Sequence, residues 1–319
     1  MTLRQVGSYI LRRVFPAQME LRDLRREHQR KLAELQKNTE LTHEQWVEKV
    51  KSQYKHATGH ELNLENPKRF TEKIQWRKLY ENDPRYSALA DKYAVREYVR
   101  EKIGEEYLIP LLGVWDSAEK IRFWKLPNSF VLKTNNASGT NIIVKDKQAI
   151  DKATVREVLS FWLRMPFWAK TGELHYKAIT PKIIAEKNML SENANDLLDY
   201  KFYCFSGKPV FCQIISDRFS EEHIDFYDME WRHQDFIGLN PKCKNSPNRH
   251  KKPACFEEMK QIAEKLSEPF SFVRVDLYEI NGRPYFGEMT FTPASGYGVF
   301  SPDSWDFRLG ELWENEQYR

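Results

Sequence analysis

The stretch FVRVDLYEINGRPYFGEMTFTPASGYG, from Phe272 to Gly298, gathers charge where a sheet core would place apolar side chains. Two alternating runs flank an Asn-Gly turn. Along the first, Val273, Val275 and Leu277 take one face while Arg274 and Asp276 take the other; on the return run Glu288 and Thr290 share a face. Acids and an arginine on a strand pair exist to meet charge. The rest of the chain has to say which charge.

A second candidate is FVLKTNNASGTNIIVKDK, read as strand, polar loop, strand. Ser138, Gly139 and Thr140 can bend the loop so that backbone N–H groups face a shared concavity, which suits phosphate oxygens, and Lys133 on the incoming strand supplies positive charge. The loop is not a P-loop, because G-x-x-x-x-G-K-[ST] is absent, and a plain hairpin loop is the competing reading. Further on, the apolar run KIIAEKNML carries Glu186, which is either solvated as the chain leaves the sheet or part of a hinge whose backbone reads an adenine edge. In DYKFYCFSGKPVF, Asp199 and Lys201 share a strand face, a pattern that an ordinary surface ion pair also gives.

These residues need strands, and the chain supplies them after Pro127: SFVLKTN, NIIVKDK, PKIIAEKNML, DYKFYCFSG, KPVFCQIISDRF and the terminal hairpin. Helices separate some of them, near Ala149 to Arg164 and Ala254 to Leu266. Mixed sheets with segregated helices imply an α+β body. Before it, residues 60–126 form a helical module ending in the short extended segment EEYLIPLLGVW, and residues 1–59 form a basic helical extension carrying roughly +5 of charge. Within that extension the spacing predicts a helix from about Leu3 to Lys37, its stripe Leu21, Leu24, His28, Leu32 and Leu35 docked on the main body. A surface membrane anchor through Tyr9, Ile10, Leu11, Val14 and Phe15 beside Arg12 and Arg13 is the competing reading.

Composition sets the outer limits. The chain has 319 residues, 41% hydrophobic and 13% aromatic, enough for a substantial core. A net charge of +4 gives no argument for nucleic acid. No apolar run approaches a membrane span, and the first residues lack the features of a secretory signal, so the expected location is cytoplasmic, with the inner membrane face as the variant the extension suggests. Cys204, Cys212, Cys243 and Cys255 show no C-x-x-C spacing and read as buried free thiols.

The order of the parts is more specific than any one of them. A lysine strand with a small-residue loop, a strand carrying Glu, an Asp-x-Lys strand, then RVD and GEMT on a last hairpin resembles the ATP-grasp superfamily. NPKRFTEKIQWRKLY and DKYAVREYVREKIG extend the resemblance to TupA-like ATP-grasp proteins associated with bacterial surface polysaccharides. It covers most of the chain after His60. It implies two α+β lobes clamping ATP, residues 127–319 being the ATP-grasp domain, and a ligase that activates a carboxylate as an acyl phosphate before an amine displaces phosphate. The cofactors implied are ATP and Mg2+.

By that resemblance Lys133 and Lys201 bind ATP phosphates, the Asn135 to Asn141 loop with Ser138, Gly139 and Thr140 closes over them, Glu186 with the following backbone holds adenosine, and Lys145 and Asp199 are further nucleotide-binding residues. Asp276 and Glu288 bind magnesium as hard oxygen ligands, and Thr290, where the superfamily often has Asn, is a third and weaker ligand. Arg274 stabilises charge on the transferring phosphoryl group or the acyl oxygen, and Lys201 is the other catalytic residue. Asp91-Lys92 matches the Asp-Lys ahead of the nucleotide lobe, or is a surface pair. Metal binding also sets a register: a two-residue Asn281-Gly282 turn puts Asp276 opposite Gly287 and Glu288 on the wrong face. The expectation is a three-residue loop, Ile280 to Gly282, with Gly282 left-handed and Arg274 opposite Glu288. The implied substrates are a uronic acid carboxylate of an acidic glycan and an amino acid or small amine. Arg218, His223, Lys242, Lys244, Arg249, Lys251, Trp168, Tyr227 and Trp231 are candidates to line the glycan cleft. A glycosyltransferase and a non-catalytic nucleotide-binding scaffold are the alternatives.

Overall fold

The computed structural model describes residues 21–190, 198–217, 221–240 and 242–313. In chain order the helical first part comprises α1 (Leu21–Asn38), α2 (His43–Thr58), α3 (Phe70–Tyr80), α4 (Pro84–Ala90) and α5 (Val95–Lys102). Then come β1 (Leu111–Trp115), β2 (Phe130–Thr134), β3 (Asn141–Val144), α6 (Lys152–Arg164), α7 (Trp168–Thr171) and β4 (Ile183–Lys187). The last part holds β5 (Asp199–Phe205), β6 (Lys208–Ser216), β7 (His223–Asp228), β8 (His233–Gln234), β9 (Ile237–Gly238) and α8 (Phe256–Ser267). It closes with β10 (Phe272–Ile280), β11 (Arg283–Thr290), β12 (Phe300–Ser301) and α9 (Ser304–Leu312). Helices segregated around antiparallel sheets make the fold α+β, as the strand texture implies.

Contacts divide the chain into two compact units that interleave along the sequence, so they do not follow the texture changes at 60 and 127. Among the described residues the first draws on residues 21–41, Asp91–Val95 and Ile109–Met189. Its four-stranded sheet has the order β1-β4-β2-β3. Phe130 and Leu132 of β2 face a core shared with Val155, Val158, Leu159 and Trp162 of α6. The N-terminus of α6 is fixed by Asp151, whose carboxylate accepts from the backbone N–H of Ala153 and Thr154 at 3.1 and 3.2 Å.

Helix α1 belongs to this unit. Leu24 and His28 are buried, Leu21 and Leu32 are packed beside them, and the His28 ring stacks on Phe161 with centroids 4.0 Å apart. The docked reading of the stripe therefore holds from Leu21 onward. The predicted start near Leu3 and the anchor residues Tyr9 to Phe15 lie outside the described residues.

The second unit comprises Thr42–Ala90, Arg96–Leu108 and Leu190–Arg319, of which 191–197, 218–220, 241 and 314–319 are not described. Its sheet runs β11-β10-β5-β6-β7-β8. Helix α8 covers one face with Met259, Ile262, Ala263 and Leu266, against β5, β6 and β10. The opposite face changes character along the strands. Phe272, Phe205, Tyr203 and Phe211 form an aromatic core with Phe70 of α3 and Trp313, whereas the residues beyond them are charged. Phe70 meets Phe272 edge to face at 4.9 Å. The start of α3 is held by Glu72, which accepts from the N–H groups of Lys68 and Arg69, each at 2.9 Å. That fixes the helix that carries Arg77. The buried Arg77 guanidinium donates to the carbonyl of Phe272 at 2.8 Å and of Phe291 at 3.3 Å, which pins the start of β10 and the exit of β11.

The β10–β11 hairpin corrects the expected loop. Ile280 pairs with Arg283, so the turn has two residues, Asn281 and Gly282, with φ of 54° and 76°. Gly282 is left-handed as predicted; Ile280 is not in the loop. Asn tolerates the left-handed region better than other non-glycine residues, and a turn with both central residues there matches the strand twist. The register is recovered further in, by a bulge: Leu277 pairs with Phe286 and Asp276 with Glu288, leaving Gly287 unpaired between them. Arg274 consequently lies opposite Thr290, not Glu288.

Candidate functional site: a charged row on one sheet and a gripped loop on the other

Cross-strand partners point to the same side of a sheet. One row of partners runs Glu288 (β11), Asp276 (β10), Lys201 (β5) and Gln213 (β6), and the next runs Thr290, Arg274, Tyr203 and Phe211. Within this patch Arg274 donates from Nε and from a terminal nitrogen to the two Asp276 oxygens, each at 2.7 Å. That terminal nitrogen also reaches Thr290 Oγ1 at 3.0 Å and Glu288 Oε1 at 3.5 Å, and Thr290 Oγ1 donates to Glu288 at 3.2 Å. The Lys201 ammonium bonds Asp276 and lies 3.3 Å from Asp199. Two cations thus face three carboxylates, and all but Glu288 are buried.

Burial opposes the charge on Arg274. The neighbouring Asp276 charge and the bidentate hydrogen bond outweigh it, so the guanidinium is held even more firmly protonated than usual. The Asp276 carboxylate is matched by the side-chain cations of Lys201 and Arg274, a charge that a divalent ion can supply in their place. Among the described residues no cluster of three or more His, Cys, Asp or Glu side chains is arranged to hold a metal. The donor set here is two acids and a hydroxyl, which suits Mg2+ completed by water and phosphate oxygens rather than an all-protein cage.

The first unit contributes the other predicted residues. Lys133 of β2 and Glu186 of β4 lie on the sheet face turned away from α6, and Lys133 Nζ donates to Glu186 Oε2 at 2.6 Å. Beyond Lys133 the chain turns through a loop whose base is tied: Thr134 Oγ1 donates to Thr140 Oγ1 at 2.8 Å, and Asn135 Oδ1 accepts from the Lys182 N–H at 2.6 Å. Lys92 grips it from outside, through its N–H to Asn135 O at 3.2 Å and its Nζ to Ala137 O at 2.6 Å. Asp91 caps α5 by accepting from the N–H groups of Tyr93 and Ala94. Only the tip, Ser138 and Gly139, is exposed, and Gly139 is left-handed at φ 74°, with open space where a side chain would stand.

Some predicted residues sit elsewhere. Lys145 is exposed at the far end of the β2–β3 hairpin from this loop. Tyr227 stacks on Trp231, Trp231 donates to His250 O at 3.0 Å, and Trp168 is buried, so these rings pack internally. Lys242, Lys244, Arg249 and Lys251 are exposed, and Arg218 lies outside the described residues. All four cysteines are buried free thiols; burial pushes Cys204 up to about 12 and Cys255 up to about 11.

Sequence reasoning missed three residues of α3. Gln75 Nε2 donates to the carbonyls of Ser295 and Gly296 at 3.0 and 2.8 Å, and Lys78 Nζ donates to Gln75 Oε1 at 2.7 Å and Ser295 O at 3.0 Å. They hold a turn in which Ala294, Ser295 and Gly296 are all left-handed, directly after the β11 acids. Arg77 is the third. Their signal was a run of polar residues on a helix whose apolar positions alone could not place it.

Two antiparallel sheets, one presenting a lysine and a gripped small-residue loop, the other a Lys-Asp-Glu row with an arginine, define an ATP-grasp fold. The chain belongs to the TupA-like ATP-grasp family, which matches residues 72–314. No curated protein matches it. Among solved structures, D-alanine–D-alanine ligase from Bacillus anthracis complexed with ATP is 16% identical over 71% of this chain and 63% of its own, with a TM-score of 0.39. The ATP-grasp ligase PsnB complexed with minimal precursor, Mg and ADP is 11% identical over 76% and 66%, with a TM-score of 0.38. D-Alanine–D-alanine ligase from Helicobacter pylori is 13% identical over 77% and 69%, with a TM-score of 0.39. The chain spans just under two thirds of the length of the Bacillus anthracis ligase and of PsnB. The family match, not these distant likenesses, places the protein.

Proposed function

We propose that this protein is an ADP-forming carboxylate–amine ligase that uses ATP and Mg2+. The observation that carries the reading is the row Glu288, Asp276, Lys201 with Arg274 beside it: acids and cations that compensate one another on an otherwise aromatic sheet face. Asp276, Glu288 and the Thr290 hydroxyl would hold the magnesium ion, with Thr290 also donating to the Glu288 carboxylate. Bound there, Mg2+ neutralises charge on the terminal phosphates. Lys201 then turns its ammonium from Asp276 to a phosphate oxygen, and Arg274 faces the phosphoryl group in transfer. In the first unit Lys133 serves phosphate oxygens, Ser138, Gly139 and Thr140 present backbone N–H groups, and Glu186 serves the nucleoside.

The chemistry balances without a further reactant. A carboxylate oxygen attacks the γ-phosphorus and ADP leaves; an amine nitrogen then attacks the acyl carbon, phosphate leaves and the amine gives up a proton. The carboxylate, in this reading, belongs to a uronic acid of a bacterial surface polysaccharide and the amine to an amino acid or small amine. TupA-like family membership is what supports that choice. No helix among the described residues is long and apolar enough to cross a membrane.

The test is to supply Mg2+, ATP and a uronic acid oligosaccharide with hydroxylamine and no amino acid. Accumulation of a hydroxamate together with ADP supports the ligase. Glycan lengthening from a nucleotide sugar, with no hydroxamate, means a glycosyltransferase instead; nucleotide binding without turnover on any acceptor means a scaffold.

A further inference from the structure

The charged row does not end at Lys201. Its next member is Gln213 of β6, the direct cross-strand partner of Lys201, with Phe226 of β7 on its other side. Gln213 is 1% exposed. Its Oε1 accepts from Tyr203 Oη at 3.2 Å, but its Nε2 is buried and has no hydrogen-bond partner among the described residues. Between two aromatic neighbours, Phe211 and Phe226, a leucine or methionine would fill the same space without stranding an amide. A buried donor left unpaired lowers stability, and it is tolerated where a bound group supplies the acceptor.

We propose that Gln213 is a nucleotide-binding residue whose Nε2 donates to a phosphate oxygen of the nucleotide that Lys201 also binds. Three observations converge on that acceptor. The side chain lies on the same sheet face as Lys201, Asp276 and Glu288. Strand spacing sets it about 5 Å from Lys201 and roughly 15 Å from Glu288, beside the ammonium and away from the metal acids. And an amide nitrogen donates only, so it seeks an oxygen, not a cation. Lys201 is the flexible side chain next to it. When its ammonium leaves Asp276 for a phosphate, the row opens beside Gln213 and the same phosphate group comes within reach of both. The inference rests on the ATP-grasp reading above, and deepens it by adding a ligand contact from a strand that bears none of the predicted residues.

The test uses the full chain, ADP with Mg2+ as the probe, and two readouts: calorimetric affinity and the melting temperature of the ligand-free protein. Gln213→Met keeps the volume and removes the donor. It should melt at or above the wild-type temperature without ligand, yet bind ADP roughly ten- to a hundred-fold more weakly, the loss of one hydrogen bond to a charged group. Gln213→Glu, which sets a carboxylate beside the phosphate, should bind more weakly still. A purely structural glutamine would behave in the opposite way, with a lower ligand-free melting temperature and unchanged ADP affinity, and that result overturns the proposal. If the wild-type protein itself gives no binding heat, the proposed ligase reading has failed and this inference falls with it.

Discussion

Asp276 lies directly across from Glu288 because Gly287 is bulged out of the β10–β11 ladder. The two-residue turn at Asn281-Gly282 would otherwise set Asp276 against Gly287 and put Glu288 on the α8 side of the sheet. Gly287 is also tightly enclosed: a Cβ there would stand 3.0 Å from the Asp276 carbonyl oxygen and 3.0 Å from Tyr278. Deleting Gly287 sets Glu288 directly after Phe286, so the ladder closes with Asp276 still opposite Glu288, and hydroxamate formation and Mg2+-dependent ADP binding should survive the deletion. Gly287→Ala keeps the extra residue but pushes a methyl group against the Asp276 carbonyl and Tyr278, so it should lower both hydroxamate formation and ADP binding. Loss of both in the deletion variant would show that the bulge does more than keep the two acids opposite one another.

The two acids should separate in stability though not in activity. Asp276 is 1% exposed and takes bonds from both Arg274 and Lys201, so Asp276→Asn leaves two buried cations short of a partner. Breaking a buried pair in this way costs about 3–5 kcal/mol. Glu288 is a third exposed and its contact with Arg274 is long, at 3.5 Å, so Glu288→Gln should melt close to wild type. Both variants should lose hydroxamate trapping. Equal melting temperatures for the two would mean that the Asp276 network does not stabilise the fold.

How much of this could be read in the chain depends on which residues are asked about. Alternation placed Arg274, Asp276, Glu288 and Thr290 on strands, and Asn281-Gly282 at a turn, because side-chain period and turn chemistry are local. The bulge is not local. It is set by the need to bury Phe286 and Met289 on strands whose pairing the turn has already fixed, so sequence reasoning lengthened the loop instead of inserting an extra residue mid-strand. The same limit hid the polar side of α3. Helical spacing finds apolar residues that pack; it does not reveal that Gln75, Arg77 and Lys78 are buried too, each answering backbone carbonyls from residues about two hundred positions away.

Lys133 and Glu186 make a test of role. If Glu186 serves mainly to hold Lys133, Glu186→Gln should loosen the lysine and raise the ATP KM through it. If Glu186 serves the nucleoside, the two substitutions should act independently. We expect the second: Lys133→Met should raise the KM for ATP at least about tenfold, as loss of a charge-assisted contact to phosphate. Glu186→Gln should discriminate less against other nucleoside triphosphates, and the double variant should show both defects. Full recovery of ATP use in the double variant would show that the ion pair is only structural.

Helix α1 gives the last prediction, for stability against pH. His28 is 1% exposed, stacked on Phe161, with Nδ1 3.2 Å from Glu157; Arg25 also reaches Glu157, and Glu27 and Lys31 lie on the same helix. Burial lowers the His28 pKa from 6.5, and the Glu157 hydrogen bond only partly restores it. The folded state therefore binds fewer protons than the unfolded one just below that value. Stability from this group is complete above about pH 6.5 and falls as pH drops toward the depressed folded value. The first unit should thus melt at progressively lower temperature from about pH 6.5 downward, with α1 leaving α6 early in hydrogen exchange. His28→Gln cannot take up that proton, so its melting temperature should decline less over the same window. Parallel pH profiles for the two proteins would rule out His28 as the group that titrates.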